Sequence, residues 1–247
     1  MSEHIFKPNS GKKIAIVVQG EIYLRLPIQT RLIQENDNLA MLLQEYVVPH
    51  LKDGDLVFIS EKIVAITQGR IIRIKDVKIS WLARFLAKRV NNKVNTPDFM
   101  GYGHGTAPAM ELFIQEAGYP RVIFAAFVSM VTRPFGIKGL FYLICGKNAK
   151  SIDCPMSYTL PPYTEYAKRA ILNPMGVADK IKGQLGNDTI IIDANYLGVF
   201  SLGKSNNDIQ EKFIQKLFRD NPAGQDGEMT PFFIIRKDIS SSTSSVT

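Results

Sequence analysis

At 247 residues the chain can bury a substantial core, as one large domain or as two closely joined lobes. It is 45% hydrophobic and 21% charged, with 30 Lys and Arg against 23 Asp and Glu, a formal charge of +7. That balance favours anionic partners such as nucleotides or phosphorylated metabolites, and two cysteines are too few for a disulfide scaffold or a zinc finger.

In chain order, residues 13–19 are apolar and β-branched and predict a buried strand. Leu39, Leu42, Leu43, Tyr46 and Val47 recur at helical spacing, with Asp37 or Asn38 as cap and Pro49 as stop. Residues 56–59 and 63–67 predict strands, and 71–74 continue their pairing. Ser80 caps a helix carrying Trp81, Phe85 and Leu86, and the basic run 84–93 is its solvated face. Residues 92–104 are an Asn-, Pro- and Gly-rich loop. Thr106 and Pro108 open a helix that Gly118 closes. The apolar runs 121–131 and 140–145 predict strands on either side of a turn-rich loop. Asn173-Pro174 opens a helix ending at Gly186. Residues 189–192 form a buried strand that ends in Asp193. Residues 208–218 are an amphipathic helix, 232–235 the last strand, and 240–247 a polar, disordered tail. Residues 1–239 are thus one domain, or two closely joined lobes. Helices and strands are interspersed without strict βαβ alternation, so the fold class is α+β.

The chain opens Met-Ser-Glu-His without an apolar leader, and its longest apolar run, 122–131, is about half the length of a membrane helix. It therefore reads as cytoplasmic, with no membrane partner. Its scattered basic residues lack an aromatic-rich motif, which argues against nucleic acid.

Four places can carry chemistry. Asp153 and Asp193 are hard carboxylates of the kind that hold Mg²⁺ or Mn²⁺ against phosphates; by spacing alone they read more readily as turn formers. The glycines of 221–231 let backbone approach an anion, and Gln225, Asp226 and Glu228 add oxygen ligands, although an exposed loop explains the same residues. Residues 101–106, with His104, form a glycine-rich entry to a helix. Arg133 and Lys138 sit in a turn-rich loop and suit a phosphate or carboxylate. No nucleophile elbow, metal-binding His pair or dinucleotide fingerprint is present. No catalytic residue is assigned.

The segments Leu32-Ile33-Gln34-Glu35-Asn36-Asp37-Asn38-Leu39, Asp53-Gly54-Asp55 and Ser60-Glu61-Lys62-Ile63-Val64, continuing to Gly69-Arg70, resemble the coenzyme F420-0:L-glutamate ligase family. Ser151-Ile152-Asp153, Leu160-Pro161-Pro162, Ile191-Ile192-Asp193 and residues 224–227 follow in the family's order. Thr132-Arg133-Pro134-Phe135 and Phe218-Arg219-Asp220-Asn221-Pro222 are similar to a divergent bacterial branch of it.

The resemblance implies an α+β ligase fold, a homodimer, and a GTP- or ATP-dependent amide-forming reaction with two divalent ions. In that reaction a phosphorylated carboxylate is attacked by an amine. By position, Thr30, Arg31, Leu32, Ile33, Glu61, Lys62, Gly224, Asp226, Gly227 and Glu228 would face nucleotide, and Asp153, Asp193 and Gln225 would face metal. The apolar runs 122–131 and 140–144, read as strands, offer surface for the dimer. Departures from the family pattern are Ile66 for a lysine, Ala194 for a threonine, and Asn195-Tyr196-Leu197 for Asn-Gly-Arg. They keep open a second reading, a nucleotide or metabolite binder that retains the fold without catalysis, and a third, a basic protein associated with phospholipid or nucleic acid.

Overall fold

The structure is a computed structural model that describes residues 6–89, 106–137, 139–146, 152, 154, 159–195, 198–224 and 227–239. The strands are β1 (Ala15–Val18), β2 (Glu21–Ile28), β3 (Leu56–Ser60), β4 (Ile71–Arg73), β5 (Tyr166–Lys168), β6 (Thr189–Asn195), β7 (Gly198–Lys204) and β8 (Phe232–Lys237). The helices are α1 (Leu39–Tyr46), α2 (Glu61–Thr67), α3 (Trp81–Ala87), α4 (Ala107–Ala117), α5 (Tyr119–Thr132), α6 (Leu140–Cys145), α7 (Pro174–Leu185) and α8 (Glu211–Leu217). The class is α+β, as the sequence predicts. The chain divides into two compact units, Met1–Gln68 with Leu172–Thr247, and Gly69–Ile171.

The first unit holds a six-stranded sheet in the order β1-β2-β8-β3-β6-β7. Its one parallel pair is β3 with β6, with Ser60 opposite Ile192; β8 runs antiparallel between β2 and β3. Gln19 and Gly20 turn β1 into β2 with φ of 55° and 84°, the paired positive angles of a tight hairpin. One face of the sheet packs Phe58, Ile190, Ile192, Val199, Phe233 and Ile235 against Ile214 and Leu217 of α8 and Phe218 beyond it. Helix α1 begins where the Asn38 side chain accepts from the Ala40 and Met41 amides, satisfying donors no helix can pair internally. Helix α2 follows β3 without a loop and packs on β3 and β6.

The motif Asp53-Gly54-Asp55 has a structural role. Gly54 makes the turn with φ of 81°, and the buried Asp55 carboxylate accepts from the Lys52 amide and pairs through two bonds with Arg236 of β8.

The second unit enters and leaves through the antiparallel pair β4 and β5. Arg70 donates to the Ala170 carbonyl at 2.9 Å and pairs with Glu116 of α4, so the Gly69-Arg70 step fastens this entry. Just outside the unit, the Gln68 amide group both donates to and accepts from the Leu172 backbone, at 3.0 and 2.8 Å. Ser80 and Thr106 cap α3 and α4. Their apolar faces meet α5 and α6 around Leu82, Met110, Phe113, Ile114, Val122 and Cys145. Glu111 is buried among the Ser80 amide, Gln115 and the Tyr119 hydroxyl. Burial disfavours its charge, but these donors prevail and hold it below the usual carboxylate range. Cys145 and Cys154 form no disulfide.

Several expected strands are helices. Residues 63–67 lie in α2, 121–131 in α5 and 140–145 in α6. Strand β4 pairs with β5 rather than with its sequence neighbour. Strand β2 was not expected from the sequence, and β1 alternates between exposed and buried positions instead of being buried throughout. Short apolar runs show no reliable period, so helix and strand look alike in them. The β surface expected to join two copies at 122–131 and 140–144 is therefore absent. Residues 92–104 and 240–247 lie outside the described residues. No helix among the described residues is long and apolar enough to cross a membrane.

Candidate functional site

Three backbone contacts gather distant parts of the first unit. The parallel ladder sets Ser60 beside Ile192, so Glu61 and Asp193 are the next residues on neighbouring strand paths. The Ser60 amide donates to the Pro231 carbonyl at 2.9 Å, and the Thr30 amide donates to the Met229 carbonyl at 2.9 Å. Residues near 30, 61, 193 and 229 thus meet at one edge, beyond the carboxyl end of β3. Open sheets commonly bind ligands there, because the strands fix side chains at an opening.

Each expected residue has a definite place. Thr30 is buried, and its hydroxyl donates to the Arg31 carbonyl. Arg31 is committed to Asp37 through bonds of 2.7 and 2.6 Å. That hydrogen bond, with help from the Gln34 amide and against burial, holds the Asp37 carboxyl low. Leu32 is half-buried, and Ile33 is in the core. Glu61 is buried at 3% exposure while Lys62 beside it is exposed. Asp193 is half-buried and lies inside β6, which continues to Asn195 rather than stopping before the aspartate. Gly227 is exposed and Glu228 half-buried.

Gly224 has φ of 74°, and a Cβ built there would lie 2.2 Å from the Glu228 carboxylate. The positive φ is what favours glycine here, because the Glu228 carboxylate is the end of a flexible side chain and could move aside. Asp153, Gln225 and Asp226 lie outside the described residues, as do 101–105 with His104, and Lys138. Arg133 is exposed in the turn after α5.

Sequence reasoning missed the residues that brace the late loop. Asn9 donates to the Pro222 carbonyl at 2.8 Å and to the Thr230 hydroxyl at 2.7 Å, and Thr230 donates onward to Ala223. Arg25, 2% exposed, donates to the Leu217 and Lys13 carbonyls and forks onto Asp220. Burial opposes ionisation of Asp220, yet the Arg25 hydrogen bond and charge hold its carboxyl below the ordinary range. The signal was in Asp220-Asn221-Pro222, where Asp220 entered only as part of a likeness and Asn221-Pro222 as the start of a glycine-containing loop. Asn221, with φ of 45°, makes the turn and donates to the Gly224 carbonyl.

A separate cleft of ≈ 550 Å³ in the same unit borders Glu228 and Thr230, with Lys7, Asn9, Glu45 and His50 on its walls. It shares one rim with the strand-end cluster but does not contain Glu61, Lys62 or Asp193. The cluster is the stronger candidate, because backbone pairing brings together segments that carry acidic and basic residues beyond the carboxyl end of β3.

Residues 27–133 match the family model described as F420-0:Gamma-glutamyl ligase. That match supports membership of the F420-0 gamma-glutamyl ligase family. It spans somewhat less than half of the chain and includes Thr30 to Ile33, Glu61 and Lys62. Asp193, Met229 and Pro231 fall outside the match; the two backbone bonds and the β3–β6 ladder bring them beside Thr30 and Ser60, which lie within it. A search of curated proteins found no match.

The family's lysine position is Ile66 here, and it lies in α2 at 3% exposure. Ala194 is half-buried against the sheet core. Among the described residues, no three His, Cys, Asp or Glu side chains are grouped closely enough to hold a metal ion. The oxygen donors that the cluster does offer, Glu61, Asp193 and Glu228, are of the type Mg²⁺ and Mn²⁺ take.

Proposed function

We propose that this chain joins a carboxylate to an amine, a gamma-glutamyl ligase-type reaction, with GTP or ATP as the activating co-substrate. The observation that supports this is the meeting of the Thr30, Ser60-Glu61-Lys62, Ile192-Asp193 and Met229–Pro231 segments beyond the end of β3. In the proposed reaction, an acceptor carboxylate oxygen attacks the terminal phosphorus and a nucleoside diphosphate leaves. The amine then attacks the acyl phosphate; the carbon–oxygen bond breaks, inorganic phosphate leaves, and the amine proton passes to solvent. Lys62 is exposed at the site and would meet phosphate oxygens as a flexible point charge. Asp193, with Asp153 and Gln225, would hold Mg²⁺ or Mn²⁺, which supplies neutralisation of phosphoryl charge. The braced Asn221–Gly224 turn would keep the loop's amides fixed for substrate without reorganisation.

A second reading, a nucleotide binder without turnover, is favoured by one observation: Ile66 lies in the core, so that position itself offers no second cation beside Lys62.

The test pairs a thermal-shift titration with a turnover assay. The melting temperature should rise with GTP or ATP only when Mg²⁺ or Mn²⁺ is present, since a ligand of the native state stabilises it. Lys62→Ala should weaken nucleotide binding by about 1–3 kcal/mol. Phosphate release that depends on L-glutamate and the deazaflavin acceptor F420-0 would support the ligase. Binding without release supports the second reading, and no nucleotide binding overturns both.

A further inference from the structure

The second unit is electrically unlike the rest of the chain. Residues 69–171 carry 15 Lys and Arg against six Asp and Glu, an excess of nine positive charges. The remaining residues carry 15 against 17, an excess of two negative. Two of the six acids are inside the unit's own packing: Glu111 is 2% exposed, and Glu116 is paired with Arg70.

On this basic unit lies a helix with its apolar side outward. At about 100° per residue, Tyr119, Ile123, Phe124, Phe127, Met130 and Val131 of α5 share one arc of about 140°. Each is exposed, from 42% at Tyr119 to 67% at Met130. No charged residue falls on the arc, and the buried Val122 and Ala125 lie on the opposite side. Isolated exposed hydrophobics need no explanation, but a continuous apolar ridge marks an interaction surface.

We infer that this face docks on an anionic lipid surface, with the α5 ridge entering the headgroup boundary and the basic unit drawn to the lipid charge. Charge decides between occupants. A second copy seated face to face would bring two units of excess +9 together, with their repulsion strengthened as water leaves. A bilayer containing anionic lipid complements both properties at once: its surface potential attracts a unit with excess Lys and Arg, and its interface accepts aromatic and aliphatic side chains. A nucleic acid would satisfy the charge but leave the ridge in water. This is binding to a surface and needs no spanning helix.

The experiment is vesicle flotation of the full chain with phosphatidylcholine vesicles and with vesicles that also contain phosphatidylglycerol. The protein should float with the anionic vesicles and bind neutral ones roughly tenfold or more weakly. Binding should fall in about 1 M salt, where the Debye length is about 3 Å. Phe124→Ser with Phe127→Ser should abolish flotation while leaving the thermal melt and nucleotide response unchanged, because both side chains are already exposed. Ile123→Gln with Met130→Gln is an independent pair on the same arc and should behave alike. Failure of the unaltered chain to float with phosphatidylglycerol overturns the inference. So does equal binding by both variant pairs. A stable dimer in sedimentation that either pair dissociates overturns it in favour of a second copy.

Discussion

Asp55 shows how a short motif can be structural at its centre. Its side chain is 1% exposed and receives two bonds from Arg236 of β8, tying the turn before β3 to the neighbouring strand. Asp55→Ala should lower stability by about 3 kcal/mol, the low end for breaking a buried pair, because Arg236 keeps partial access to water. Urea unfolding should show an earlier midpoint and an unchanged slope.

Asp220 gives a pH signature. Its folded carboxyl is held below the ordinary range, so its contribution is present above the unfolded value of about 3.9 and is lost as pH falls below that toward the folded value. The stability difference between the unaltered chain and Asp220→Asn should therefore be constant at neutral pH and shrink below about pH 4. Denaturation followed at several pH values would check it, and a difference that grows on acidification would contradict it. Neither pairing was legible in the sequence, since partners 181 and 195 positions apart leave no local pattern.

At the scale of elements, the legible pieces carried their own punctuation. Asn38, Ser80, Thr106 and Asn173 announced helices through capping chemistry that acts within three residues. Helices α2, α5 and α6 were read as strands for lack of such signals. Helix α2 starts at Ser60 without a side-chain cap bond and buries Val64, Ala65 and Ile66 in succession. Helix α5 is apolar on its buried and exposed sides alike, which erases the period a sequence reader looks for. Its overlooked signal was Pro120 in the first turn after Gly118.

Helix α7 and β7 make a closer fit than either sequence suggests. A Cβ on Gly203 would sit 2.3 Å from the Pro174 carbonyl oxygen, which is backbone and cannot swing aside. Gly203→Ala should cost about 1–3 kcal/mol through displacement of the α7 start. A thermal melt would measure the loss, and an unchanged melting temperature would show that the helix shifts easily.

For the whole molecule, the α+β class followed from interspersed elements, and the family likeness supplied most of the site. The strand-end cluster was legible in part, because Glu61-Lys62 follow the buried strand β3 and Asp193 follows the apolar run 190–192 within β6. The parallel pairing that makes them neighbours was not, because strand order is a long-range property. Residues 69–171 can be tested as a separable excursion. A chain in which they are replaced by a short Gly-Ser link between Gln68 and Leu172 should keep the six-stranded sheet. Circular dichroism and a single cooperative urea transition would confirm it; a non-cooperative transition would show that the sheet depends on the excursion.

The paired feet of that excursion have a consequence for how the sequence can change. Gln68 and Leu172 touch, and β4 runs beside β5 immediately beyond them. To the sheet, everything between is a closed loop with a fixed, narrow mouth. Closing a flexible loop costs only about 0.6 kcal/mol more for each doubling of its length. By that rule a change in the length of chain between the feet adds little closure cost, whereas a change at the mouth alters the hydrogen bonds that hold it shut. A lengthened or shortened turn within the basic, aromatic-rich unit is therefore expected to leave the closure of that mouth almost unchanged.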